Sequence, residues 1–174
     1  MIFDDLFKPV NSIKGIGPII SRKLSDKGIK NKIDLILNLP SGAIDRRFCP
    51  KLDQLEIGKI STIFVRAIKY NIPRFRNLPN KVKCQDEFGE IDIVFFNSRE
   101  NYIKQILPLN SEVVISGKVT AYKNKFQITN PEYVQSIDKE NDIKKIMAKY
   151  SSFNGISNKT VQKIYDLEIS KLKE

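Results

Sequence analysis

Histidine and tryptophan are both absent from the 174 residues, and the two cysteines, Cys49 and Cys84, stand alone. Without histidine, every catalytic dyad or triad built on imidazole is excluded. With no Cys-x-x-Cys pair either, a zinc site has too few ligands of the usual kind. Isolated cysteines are expected to be small buried hydrophobes in a reducing compartment. No window approaches the roughly 18 uninterrupted apolar residues of a spanning helix. The start, "MIFDDLFKPV", carries two aspartates where a secretory signal would carry positive charge, so a cytoplasmic location is expected. None of the eight glycines fits the frame of a phosphate-cradling Walker A loop.

What the chain has is positive charge. Thirty Lys and Arg against twenty Asp and Glu leave a net charge of +10, which makes a polyanion the first partner to consider. An AT-rich coding sequence also enriches Lys, Asn and Ile, so charge alone does not decide the function. Length allows one domain of ordinary size, or a small domain with appendages.

Residues 12–39 read "SIKGIGPIISRKLSDKGIKNKIDLILNL". Apolar residues recur there at helical spacing, Pro18 suits the start of a helix and Gly28 a left-handed C-cap. The expectation is a pair of short helices. Gly15, Gly17, Ser21 and Leu24 resemble a helix-hairpin-helix, whose glycine turn offers backbone N–H groups to a phosphate. A helical hairpin that needs glycine only for a tight turn fits the same residues.

"PSGAIDRRFCP" breaks the periodicity and carries an expected domain boundary. After Gly58 the period changes from 3.6 to 2. Strands are predicted at 60–70, 81–87 and 90–96, with "DEFG" as the turn between the last two rather than an acidic metal motif. A helix with Tyr102, Ile103, Ile106 and Leu107 follows. A hairpin, "EVVISGKVTAY" and "KFQITNPEY", then turns around Lys123 and Asn124, with Gly117 at a bend. Three strands, a helix and two strands is the order of an OB-fold, although helix-bearing alternatives share parts of it. An OB barrel binds nucleic acid across its second and third strands and through the loops joining strands 1–2 and 4–5.

The fold class is therefore α+β: a five-stranded OB barrel (51–135) after a helical segment (1–50), followed by a partial helical linker (136–174). In the linker Ser157 is a candidate N-cap, and Ile164, Leu167 and Leu172 lie along one side of a helix. The chain stops there without a closing cap, which suggests a truncation or a split frame.

Two stretches carry the candidate chemistry. "KYNIPRFRNLPNKVK" (69–83) holds Lys69, Arg74, Arg76, Lys81 and Lys83 without one acid, interleaved with Tyr70 and Phe75. Cations track phosphates and aromatic faces accept unpaired bases. Phe75 could equally fold back on the barrel rim. In "EIDIVFF" alternation puts Ile91, Ile93 and Phe95 on the core face and leaves Phe96 outside. Phe96 then either packs under the following helix or stacks on a base. Lys123 adds a cation in the loop between the fourth and fifth strands.

"IKGIGPIISRKLSDKGIKNKIDLILNLP", "DR" at 45–46, "DIVFFN" with a following Tyr, "VVISGKV", "FQITNPEY" and "GISNKTVQKI" occur in that order over nearly the whole chain. Together they resemble the N-terminal region of the RecG family of ATP-dependent DNA helicases. The resemblance implies a wedge domain that enters the branch point of a fork or Holliday junction while a motor in cis, driven by ATP and Mg²⁺, pulls duplex past it. It implies base stacking by Phe96 and Tyr102 beside Asn97. Branched DNA is the expected partner, a monomer the expected state, and no cofactor is expected in this chain. "LPSGAIDR" departs from the family's "LPxRYxDR" by lacking its Arg and Tyr. An RNA-binding OB module and a protein-interaction scaffold fit the same barrel.

Overall fold

The structure is a computed structural model that describes residues 2–75, 78–150, 156 and 158–171. The expected roles of Arg76, Ser157 and Leu172 lie outside the described residues. In chain order the elements are α1 (Ile2–Leu6), α2 (Pro18–Ser25), α3 (Lys32–Leu37), β1 (Gly42–Asp45), β2 (Ile60–Asn71), β3 (Asn80–Gln85) and β4 (Glu90–Phe95). They continue as α4 (Glu100–Ile106), β5 (Glu112–Tyr122), β6 (Lys125–Thr129), β7 (Tyr133–Ser136), α5 (Glu140–Ile143), β8 (Ile146–Lys149) and α6 (Asn158–Lys171). The chain forms two compact units, one of residues 1–44 with 148–174 and one of residues 45–147. β1 and β8 pair as a small sheet of their own.

The larger unit is a closed barrel. β2 pairs with β3, β3 with β4, β4 with β6, β6 with β5, and β5 returns to β2. All these ladders are antiparallel except β4 with β6, which is parallel. Five strands closed in this order form the OB architecture. Closure requires every strand to serve two neighbours, the first strand included. β2 does so: Ile60–Arg66 pair with β5, a bulge follows between Ala67 and Lys69, and the strand continues to Asn71 along β3. A bulge bends a strand and increases its twist, which suits a barrel corner. The period-2 reading of strands holds through the core, where Ile63, Val65, Val82, Cys84, Ile91, Ile93, Phe95, Val113, Ile115, Val119 and Ile128 are buried together. Ile103 and Leu107 of α4 close one end.

The turn between β5 and β6 is made by Lys123 and Asn124, with φ of 49° and 59°. Two left-handed residues are what a two-residue type I′ hairpin demands. "DEFG" is a turn as well: the Asp86 carboxylate accepts from the Phe88 and Gly89 N–H groups at 2.7 and 2.9 Å. Gly117 is required by packing rather than by φ, since a Cβ there would stand 2.6 Å from Ile128 Cγ2 and 3.4 Å from Pro131 Cα. Gly117→Ala is expected to destabilise the barrel by about 1–3 kcal/mol through overpacking. A urea midpoint equal to the parent's would contradict so close an approach.

Three features differ from the sequence reading. β7 extends the sheet beyond the expected barrel by pairing with β5, from Val113 opposite Ser136 to Ser116 opposite Tyr133. Cys84 is buried, and burial pushes its thiol up to about 12, but Cys49 is only half-buried. The third concerns α6, which packs in the same unit as the N-terminal helices instead of standing apart as a linker. Val161, Ile164 and Tyr165 share a core with Val10, Ile13, Ile16, Leu24, Ile29 and Leu35. Glu168 lies on the same helical stripe, buried, 3.5 Å from the buried Lys32 ammonium, which also donates to Asp5 at 2.7 Å. That stripe excludes Leu167, which is exposed, because it lies two positions beyond Tyr165, about 160° round the helix from it.

Candidate nucleic-acid interface

Phe95 is 4 % exposed and Phe96 is 48 % exposed, so the two adjacent rings part as strand alternation requires. Phe96 is not packed away under α4. It stands at a corner whose shape is set by two asparagines. Asn130, with φ of 44°, donates its backbone N–H to Val94 O at 2.7 Å and accepts the Phe96 N–H on its side-chain oxygen at 2.9 Å. From the other side, Asn80 Nδ2 donates to Ser98 O at 2.8 Å. Asn97 itself has φ of 57°, a left-handed conformation that asparagine tolerates better than most residues, and this turns the chain from β4 towards α4. Asn97 thus acts through the backbone at this corner.

Tyr102 follows one turn into the structure after the corner. It is 52 % exposed, while its neighbour Ile103 is buried in the barrel core, so α4 anchors on Ile103 and Leu107 and presents Tyr102 outward. Two half-exposed aromatic rings therefore flank the Asn97 turn.

The basic loop lies at the same end of the barrel. Asn71 is opposite Lys81, and Asn80 is opposite Phe95, so β2 ends and β3 begins near the Phe95 level. Phe75 is 75 % exposed and does not fold back on the rim. Arg74 and Lys69 are exposed too. Tyr70 behaves differently from the expectation. Its ring packs against the barrel core and its hydroxyl donates to Leu107 O at 2.7 Å, which ties the loop to the end of α4.

The acid-free stretch meets carboxylates once it is folded, because β4 lies alongside. Lys83 Nζ pairs with Glu90 at 2.7 Å, and that hydrogen bond raises the Lys83 pKa. Lys81 Nζ stands 4.0 Å from Asp92. Lys123, by contrast, is not brought to the Phe96 corner. Its hairpin tip, Tyr122 opposite Lys125, lies towards the start of β4, since β6 runs parallel to β4 with Gln127 beside Asp92 and Thr129 beside Val94. Gly15 and Gly17 sit in the other unit. Gly15 has φ of 97°, and Gly17 is the N-cap of α2 with Pro18 at its first turn. Their backbone N–H groups precede an eight-residue helix.

A cluster that sequence reasoning missed gathers around the buried Arg46. The Arg46 side chain, 1 % exposed, donates through Nη1 to Ser116 Oγ at 3.0 Å, pairs through Nη2 with Glu132, and lies 4.9 Å from the centre of the Tyr133 ring. Thr62 Oγ1 donates to Arg46 O at 2.7 Å and lies 2.9 Å from Ser116 Oγ. The "DR", "SGKV" and "NPEY" stretches thus meet at one point. The signal in sequence was their joint occurrence, not any periodicity. Among the described residues no group of three or more His, Cys, Asp or Glu is placed to hold a metal ion, and no helix is long and apolar enough to cross a membrane.

Residues 9–172 match the family described as the RecG wedge domain. Relatives include the ATP-dependent DNA helicase RecG of Thermotoga maritima, 29 % identical over 97 % of this chain and 22 % of that protein. The RecG of Escherichia coli K12 is 24 % identical over 91 % of this chain and 23 % of its own length. The chain therefore spans less than a quarter of the curated relatives it matches. A solved structure of RecG bound to a three-way DNA junction superposes with a TM-score of 0.80 at 28 % identity, over 96 % of this chain and 23 % of that one. The family match runs through nearly the whole chain, and the chain belongs to the RecG wedge domain family.

Proposed function

We propose that this chain is the junction-binding wedge of a RecG-type ATP-dependent DNA helicase, acting on forks and Holliday junctions in repair and recombination. Phe96 takes an unpaired base at the branch point, and Tyr102 takes a second one. Arg74, Arg76 and Phe75 hold the flanking backbone and bases, with Lys69, Lys81 and Lys83 adding charge along the loop and strand. The turn at Gly15 and Gly17 contributes N–H groups to a phosphate at the start of α2. ATP and Mg²⁺ belong to a motor domain in cis, which translocates duplex while the wedge parts the arms.

The observation that carries this reading is the half-exposed Phe96 ring at a corner pinned from both sides by asparagines. An exposed aromatic on a rigid corner loses little conformational freedom when a base stacks on it. Phosphate contacts and stacking read strandedness and shape rather than base edges, so selectivity for structure is expected over selectivity for sequence. Anisotropy titrations of a labelled three-way junction, a blunt duplex and a single strand provide the test. The junction is expected to bind tightest, with log K falling nearly linearly in log salt. Equal affinity for all three would refute the wedge reading, and preference for an RNA hairpin would favour an RNA-binding module instead.

A further inference from the structure

Phe96 lies one residue beyond the end of β4, yet its backbone N–H is held as if the strand continued. The parallel ladder of β4 and β6 runs from Asp92 beside Gln127 to Val94 beside Thr129, so Asn130 comes next, level with Phe95. In a parallel ladder a bonded residue donates to the carbonyl before its partner and accepts from the N–H after it. Asn130 follows the first half of that rule, donating its N–H to Val94 O at 2.7 Å. Its side chain carries the second half, because the Phe96 N–H donates to Asn130 Oδ1 at 2.9 Å.

The backbone explains the exchange. With φ of 44°, Asn130 takes the chain out of the strand at the residue whose carbonyl would otherwise have served Phe96. Pro131 follows, and a residue before proline ordinarily takes an extended conformation, so a left-handed one is strained there. Pro131 has a fixed neighbour on the barrel: a Cβ on Gly117 of β5 would stand 3.4 Å from its Cα and 3.7 Å from its Cβ. Asparagine suits this place twice over, since it tolerates the left-handed region and its side-chain amide mimics a backbone one. Glycine would meet only the first demand.

We propose that Asn130 is a positioning residue for base stacking: its side chain supplies the last ladder bond of β4 and so holds the Phe96 ring in place before DNA arrives. This role presupposes that Phe96 takes the base at the branch point. The second tether of the corner, from Asn80 Nδ2 to Ser98 O, lies beyond the left-handed Asn97 and does not fix the strand parity of Phe96. Without the bond to Oδ1, Phe96 and Asn97 become a free joint between β4 and α4. The ring must then be ordered on binding, which weakens the stack. A blunt duplex offers no unpaired base and is held through phosphate contacts, so the loss falls on the junction.

The experiment is a double-mutant cycle of Asn130→Gly with Phe96→Ala, titrated against a three-way junction and a blunt duplex, with a urea midpoint for each chain. Asn130→Gly keeps the left-handed backbone and removes the amide. It is expected to narrow the preference for junction over duplex by about two- to tenfold, the range for a side chain that must be ordered on binding. In the Phe96→Ala background the same change is expected to move that preference by less than about twofold, because no ring is left to position. Phe96→Ala keeps the backbone N–H, so any shift in midpoint from Asn130→Gly is expected to be equal in both backgrounds. An equal loss of preference in both backgrounds, or no loss where the ring is present, overturns the positioning role. Phe96→Ala binding the junction as the parent does counts instead against the branch-point reading, which separates the two failures.

Discussion

Replacing Glu132 by alanine is expected to lower the unfolding free energy of the barrel by about 3 kcal/mol, at the lower edge of the range for a broken buried ion pair. Arg46 is a buried cation. With Glu132 gone, the remaining partners are the Ser116 hydroxyl and the Tyr133 ring, neither of which carries a compensating charge. The cost stays near the lower edge because Glu132 is itself half-exposed, so water reaches that end of the pair. Arg46→Met is expected to cost less, since it removes the buried charge and leaves a carboxylate that solvent can accommodate. The combined Arg46→Met and Glu132→Leu chain is expected to be nearer the parent than Glu132→Ala alone. Chemical denaturation of the three variants reads this order. A Glu132→Ala midpoint equal to the parent's would mean that Glu132 does not compensate Arg46.

Phe96→Ala is expected to weaken junction binding by about 1–3 kcal/mol, the range for loss of one base stack. Tenfold in affinity corresponds to about 1.4 kcal/mol, so anisotropy resolves the effect readily. The fold should survive, because the ring is half in solvent and the bond from the Phe96 N–H to Asn130 uses the backbone. Phe95→Ala supplies the contrast. That ring is buried in the barrel core, so its loss is expected to cost about 3–5 kcal/mol of stability. Weaker binding from Phe96→Ala with an unchanged unfolding midpoint separates a contact with DNA from a support of the fold. Unchanged binding would leave the affinity to the basic loop.

Much of the barrel was legible because its signals are local. Alternation decides which of Phe95 and Phe96 is buried, and the left-handed preference of Asn124 marks a hairpin. The bend at Gly117 reflects close approach of Ile128, which a sequence shows only as a lone glycine in a strand. What stayed hidden depends on contacts between distant segments. Arg46 meets Ser116 and Glu132 across 70 and 86 positions, and no periodicity connects them. The return of α6 to the N-terminal helices rests on Lys32 finding Glu168 and on Asn38 Nδ2 donating to the Tyr165 hydroxyl at 2.7 Å. Tyr70 looked like a stacking residue because it sits among cations, yet its hydroxyl donates to Leu107 O at the end of α4 and the Lys104 ammonium of α4 lies near its ring, and the loop sequence contains neither.

At the interface, the residue types in the basic loop suggested phosphate and base contacts, but composition could not say which lysines would meet an acid. β4 brings Glu90 to Lys83 and Asp92 to Lys81. The expected charge of the site is therefore concentrated in Lys69 and Arg74 on the loop side. Asn130 was visible only as the start of "NPEY", and its role at the Phe96 corner emerges from the fold.

A fluorescent base analogue placed at the branch point of a three-way junction tests the central claim most directly, because its emission reports stacking at one nucleotide. The parent chain is expected to change the emission at the branch and to leave a probe in the middle of a duplex arm unaffected, with the branch response lost in Phe96→Ala. The same response at both positions, or a branch response that persists in Phe96→Ala, would contradict the assignment of Phe96 to the base at the junction.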